Sequence, residues 1–352
     1  MRWQDQRGMA LLITVMTISL LIAVTVQYHK TTWQNFLVAN HYKVGNQLRV
    51  IADSGINIAL ALLKEDSKAS KSDSFLDGWG ALEREKFESW FPDGNLRVKV
   101  IDLSGRLQVN SLAPKKNSNP GSGTDETVDE AIDGAADNDG GGGNAAEVRQ
   151  VFLSLLMSGL FPIEDETEAR SIVDSLVDWI DEDDQESDLG AESSYYQSLE
   201  KPYSCRNGPV RYLEELLLVK GITPALLFGA EGSRGLADFL TVKGDDGRVN
   251  LNTAPLLLIK SLDPLISDDL LEKLDEYRRD KTNEESLATV GWYKNINGWP
   301  GDIVINEQLL TIASTYFQIM ATGEFNTLTH SVEAVVQRSS EGEIKLLGKK
   351  ME

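Results

Sequence analysis

The residues whose types and spacing could do chemistry are concentrated in one run, DEDDQESDLGAE, from Asp181 to Glu192. Asp181, Asp183 and Glu192 hold its first, third and twelfth places. That is the carboxylate spacing of an EF-hand-type loop, in which hard oxygen ligands surround Ca2+. Asp188 is a further candidate ligand, with Asp184 and Glu186 behind it. Gln185 takes the fifth place, and Glu186 stands at the sixth, where an EF-hand needs Gly, so the loop is not an EF-hand proper. The six acidic residues from Asp181 to Asp188 repel one another unless something neutralises them. Spacing alone leaves a calcium site and a solvated acidic turn as equal readings.

Catalysis finds no comparable constellation. The three histidines, His29, His41 and His330, are scattered. There is no G-x-S-x-G, no H-E-x-x-H and no P-loop. The one cysteine, Cys205, cannot form an internal disulfide and is expected to be buried and inert. The net charge of -21, from 34 Lys and Arg against 55 Asp and Glu, speaks against nucleic acid, whose phosphates demand cations. A rival reading is nevertheless open. LVKGI and VNLNTAPLLLIKSL resemble helix-hairpin-helix segments, and NLNTA before a helix ending in YRRD is similar to competence-type DNA receptors. That alternative is a membrane-anchored DNA-binding protein. Its cations would be Lys220, Arg278 and Arg279, too few to hold a polyanion on so acidic a body.

These residues need elements to position them. From Met9 to about Val26 the chain is apolar and uncharged, close to the ~20 residues that span a bilayer. It is too long for a comfortable signal-peptide core, and no small-x-small cleavage site follows. Arg2 and Arg7 precede it, which places the N-terminus in the cytoplasm and the bulk of the chain outside. From Thr31 to Lys64 there is no Pro, and apolar residues recur at helical spacing, so anchor and continuation predict one long helix. NLRVKVIDLSGRLQVNSL, Asn95 to Leu112, predicts a β-hairpin turning at Ser104-Gly105. Residues 113–146, rich in Gly, Asp, Asn and Ser, predict a disordered acidic loop. Glu147 opens a helical block in which Asp165 is placed to cap the second helix. Past Asn250 come a short strand, helices from near Ala254 and Ser267, and strands over 314–325 and 330–339, which 342–348 could extend.

Several of these stretches resemble one family. LVDWIDEDD, GAESSYY, KPY, LEELLLVKGI and VNLNTAP, in that order and preceded by SGRLQVNSL, are similar to the K-subunit family of type II secretion pseudopilins, general secretion pathway protein K. The short basic leader ending in Gly8, set directly against the apolar run at Met9, resembles a prepilin peptidase substrate. The resemblance implies an α+β class and a pilin-like fold: a long N-terminal helix packed on an antiparallel sheet, with a large inserted α-helical domain. On this reading residues 1–8 are a leader cut between Gly8 and Met9, 9–28 span the inner membrane, and 29–65 continue the helix into the periplasm. Residues 66–112 and 248–348 form the head, and 147–247 the inserted domain. The implied partners are the I and J minor pseudopilins, with which the chain would start a filament as its tip, prepilin peptidase and the inner membrane, with no nucleic acid and no enzymatic activity. Most pilin-like chains carry Glu as the fifth mature residue; here Ile13 stands there, as a tip subunit permits, since an unpaired carboxylate in lipid is costly. The family is also associated with calcium, which favours Ca2+ at Asp181, Asp183, Glu192 and Asp188.

Overall fold

No proline interrupts the chain before Pro92, and a single helix, α1, runs from Arg7 to Ala69 over 63 residues. The computed structural model describes residues 7–85, 87, 90–91, 94–114, 144–230 and 232–351. The first six residues of the expected leader, and 115–143 of the expected acidic loop, lie outside the described residues. Among the described residues the next helix, α3 (Ala145–Leu156), begins two residues ahead of the expected Glu147, and Ala145 is itself buried.

The two ends of α1 live in different environments. From Gly8 to Lys43 every residue is exposed, and an 18-residue window there reaches a mean hydropathy of 2.5. From Leu48 onward a stripe of Leu48, Ile51, Ala52, Ile56, Ala59 and Leu63 is buried, the three-and-four spacing of one helix face. This stripe packs on a four-stranded antiparallel sheet in the order β1 (Asn95–Asp102), β6 (Tyr316–Phe325), β7 (Leu328–Arg338), β8 (Ile344–Met351). Alternate residues of the strands meet it: Leu96 and Val98, Phe317, Ile319 and Ala321, Val332, Ala334 and Val336. Gly55 sets the approach, because a Cβ there would lie 2.8–2.9 Å from Leu96, Ala321 and Val98. The helix α2 (Gly78–Ala81) adds Trp79 to this core.

The expected hairpin over 95–112 does not form. β1 pairs instead with β6, from Asn95 opposite Glu324 to Asp102 opposite Phe317. β2 (Leu107–Gln108) joins β3 (Leu240–Thr241) in parallel, and β4 (Val249–Asn250) joins β5 (Leu310–Thr311). The Ser104-Gly105 turn is real but is held by other segments. Ser104 Oγ accepts from the Thr315 and Tyr316 amides at 3.0 and 3.3 Å, and a Cβ on Gly105 would sit 2.6 Å from Thr253 Oγ1. The chain therefore leaves the sheet at this turn and enters a second core.

That second core contains α3 (Ala145–Leu156), α4 (Glu166–Ile180), α5 (Ser193–Gln197), α6 (Pro224–Phe228), α7 (Leu256–Leu262) and α8 (Asp268–Arg279). Its buried residues run from Leu107 to Leu310 and include Trp179, Leu258, Leu274 and Trp292. Residues 248–310, expected in the head, thus pack with the helical lobe, and only the last three strands return to α1. The reason is hydrophobic: Val249, Leu251, Ala254 and Leu258 turn toward α3 and its neighbours rather than toward the sheet.

A buried polar network joins the two cores. Arg338, 7% exposed, donates to Asp66 at 2.9 Å, to Asp73, and to the carbonyls of Leu63 and Ser314 at 3.3 and 3.2 Å. Asp102 accepts from Asn250 at 3.1 Å, from Thr253 at 2.6 Å and from Ser314 Oγ. Asn250 and Asn252 also reach the Asp73 carbonyl, each at 3.1 Å, so VNLNTAP is a splice between lobes. Asp66, Asp73 and Asp77 place one oxygen each within 4.8 Å of the others. Burial, with the neighbouring carboxylates, pushes Asp66 up to about 6 and Asp77 up to about 7, and raises Asp73 too. An acid raised on folding lends stability that is full below its unfolded value near 3.8 and is lost as pH rises through the folded value. The melting temperature of the full-length protein in detergent, with chelator present, should therefore fall between pH 5 and pH 8. A flat or rising profile would contradict this assignment.

Candidate functional site

α4 supplies the platform. Asp165 caps it, its carboxylate accepting from the Glu168 amide at 2.9 Å. Ala169, Ile172, Val173, Leu176 and Val177 bury one side. Asp174 and Asp178, one turn apart, receive the loop that follows. The Leu189 amide donates to Asp174 at 3.2 Å, the Ser187 amide to Asp178 at 3.1 Å, and the Ala191 amide to Asp178 at 2.8 Å. Only glycine fits at 190, since a Cβ there would lie 1.9 Å from Asp178 Oδ2.

This folding-back brings one oxygen each of Asp178, Asp181 and Glu192 within 4.8 Å of one another. Asp178 is 0% exposed and Glu192 2% exposed. Neither carboxylate oxygen of Glu192 meets a donor at hydrogen-bonding geometry among the described residues, and the weakly donating Cys205 thiol beside it favours its charge only slightly against burial. Burial first, then the charges of Asp178 and Asp181, push Glu192 up to about 7. Burial likewise raises Asp178, against the amides that favour its charge. A buried carboxylate without a donor needs a proton or a cation. The donor set is all oxygen and all acidic, which suits a hard divalent ion. Below it Trp179 packs edge-on against Tyr196, with ring centroids 5.0 Å apart. The Cys205 thiol donates to the Asp178 carbonyl at 3.5 Å, and burial pushes it up to about 12, so it is an inert thiol.

Of the residues singled out by spacing, Asp181 and Glu192 converge. Asp183 and Asp188 do not join that group; both are exposed, and Asp183 Oδ1 accepts from the Gln185 amide at 3.1 Å. Asp184 and Glu186 are exposed as well. The third member, Asp178, was missed because it lies on the helix before the loop. Its signal was present: an Asp between Val177 and Trp179, three residues ahead of Asp181, on a strongly amphipathic helix.

Each cation of the DNA-binding alternative has a partner within the protein, and of the three Arg278 is buried. Arg278, 2% exposed, donates to the carbonyls of Leu251 and Ala254 at 3.2 and 2.7 Å and pairs with Asp275. Arg279 pairs with Asp275 at 2.8 Å and lies over the Phe75 ring. Lys220 donates to the carbonyls of Leu189 and Gly190 at 3.1 and 2.7 Å. Gly8, Met9 and Ile13 lie at the exposed start of α1. Nothing among the described residues comes within 4 Å of where a Gly8 Cβ would be.

The family model described as type II secretion system (T2SS), protein K, matches residues 105–229, which include α4 and the acidic loop. Type II secretion system protein K of Aeromonas hydrophila is 24% identical over 97% of this chain and 96% of its own length. That of Dickeya chrysanthemi is 25% identical over 89% and 88%. The chain is similar to the type II secretion protein K family, in its family model over residues 105–229 and in these relatives along most of its length. That likeness supports a minor pseudopilin function in type II secretion. A chain of the crystal structure of the GspK-GspI-GspJ complex from enterotoxigenic Escherichia coli shares the fold. The likeness has a TM-score of 0.58 at 18% identity and covers 87% of this chain and 96% of that one.

Proposed function

We propose that this protein is held in the inner membrane by the first part of α1, with its N-terminus cytoplasmic and its two cores periplasmic. Prepilin peptidase cuts it between Gly8 and Met9 and methylates the new amine. It then caps the tip of a short filament together with the I and J minor pseudopilins and starts its assembly for protein export. It acts by assembly rather than catalysis. One observation carries this reading: from Gly8 to Lys43 α1 is exposed throughout, while the same helix is packed on the sheet from Leu48 onward. The apolar run from Met9 to Val26 within it is stable only in lipid or against sister helices. Ile13 fits a subunit with no neighbour's amine ahead of it to neutralise.

A calcium ion at Asp178, Asp181 and Glu192 completes the proposal. It would supply the counter-charge that the Glu192 oxygens lack, and backbone carbonyls and water would fill the rest of its shell. Its role is to fasten the loop to α4. The anchor reading is tested by the N-terminal residue of the mature protein. Intact mass should give N-methylated Met9, and Gly8→Leu should leave the precursor uncut. An unprocessed Met1, or a cut beyond Val26, would remove the pseudopilin assignment. Co-purification with the I and J pseudopilins of the same system tests the partners.

A further inference from the structure

LVKGI, at 218–222, is the one motif that neither the anchor nor the carboxylates absorb. Its glycine shows why it has its shape. Gly221 sits at φ +84, and a Cβ there would lie 2.8 Å from Ile172 on α4. The turn is thereby pressed against α4 and holds Lys220 over the Leu189-Gly190 stretch. From there Lys220 Nζ donates to the Leu189 carbonyl at 3.1 Å and to the Gly190 carbonyl at 2.7 Å. Its own amide donates to Tyr196 Oη at 3.3 Å, and its ammonium lies 5.3 Å from the Tyr195 ring centre. Ser171 Oγ donates to the same Leu189 carbonyl at 2.8 Å.

We infer that Lys220 is a positioning residue for the cation centre, clamping the loop so that Glu192 meets Asp178 and Asp181. The short segment 189–191 is tied on both sides. Its amides run to Asp174 and Asp178, and its carbonyls run to Lys220 and Ser171. Glu192 follows directly, so its place over α4 depends on that segment staying down. The inference rests on the calcium reading proposed above. Two effects of Lys220 oppose each other. As a positive charge near a divalent ion it weakens binding; as a clamp it holds the ligands together before the ion arrives. Outer groups that orient metal ligands matter by 10–100-fold in affinity, so the clamp wins.

The experiment is calorimetric titration of the full-length protein in detergent with calcium chloride, beside melting curves in chelator. Lys220→Met should weaken calcium binding about tenfold, and Lys220→Arg, which keeps charge and donors, should restore it to within about threefold. Ser171→Ala removes the other donor on the Leu189 carbonyl without changing any charge, and should weaken calcium about fivefold by the loss of one neutral hydrogen bond. Should Lys220→Met fail to fold, Ser171→Ala decides. Unchanged or tighter binding by Lys220→Met, or unchanged binding by Ser171→Ala, overturns the clamp while leaving the calcium reading intact. No calcium heat with the wild type overturns both.

Discussion

Arg338→Met should destabilise the folded protein by about 3–5 kcal/mol, the cost of leaving buried charges without their partner. The guanidinium is 7% exposed, and Asp73 beside it is 1% exposed. Arg338 is the cation that pairs with both Asp66 and Asp73, and it also satisfies two carbonyls, so its loss strands several groups at once. Methionine fills much of the same volume and keeps the contact with the Phe317 ring face, where the guanidinium lies 4.8 Å from the ring centre. The loss is therefore electrostatic more than steric. It should be larger at pH 8 than at pH 5, because at the lower pH the raised carboxylates of its partners Asp66 and Asp73 can take up protons instead. Chemical unfolding of the full-length protein in detergent at both pH values measures it. A loss below about 1 kcal/mol at pH 8 would mean that the network joining the two cores contributes little.

Glu192→Gln should raise the stability of the calcium-free protein at pH 8 and abolish its response to calcium. The two effects share one cause. The Glu192 oxygens are buried without a donor, and its carboxyl is pushed from the ordinary 4.5 up to about 7. Stability from such an acid is full below its unfolded value and is lost as pH rises through the folded one. At pH 8 the wild type therefore carries a penalty of roughly 1–3 kcal/mol that an uncharged amide escapes. Calcium removes the same penalty in the wild type. At a hundredfold excess over its Kd, a ligand that binds only the folded state stabilises by about 2.7 kcal/mol. For a domain of 150–250 residues each kcal/mol shifts the melting temperature by about 2–4 °C. The wild type should thus gain several degrees in millimolar calcium and lose them in chelator. Glu192→Gln should melt at one temperature in both, above the chelated wild type. Magnesium should substitute poorly, because it holds its waters in a tighter octahedral shell. A variant that still responds to calcium would take Glu192 out of the site.

The sequence by itself determined what local physics sets. The long uninterrupted helix α1, the cap of α4 at Asp165 and the cap of α8 at Ser267 follow from periodicity and from side chains that bond amides within one turn. The closing strands were legible in their alternation, and the ordered motifs carried the family. Tertiary structure alone decided which strand pairs with which. The residues 95–112 look like a hairpin because both halves alternate about a Gly turn, yet β1 finds its partner at Tyr316–Phe325 and β2 at Leu240–Thr241. Alternation fixes a strand's buried face and says nothing about the neighbour, which is chosen by the packing of segments hundreds of residues apart. The carboxylate cluster shows the same limit. Spacing within the loop found Asp181 and Glu192, but Asp178 enters from the preceding helix, brought there by amides of the loop that folds back onto it. Arg278 and Arg279 read as a surface for phosphate until burial claims Arg278 and Asp275 pairs with both. A charge in sequence becomes a binding group only if the fold leaves it without an internal partner, and that is settled in three dimensions.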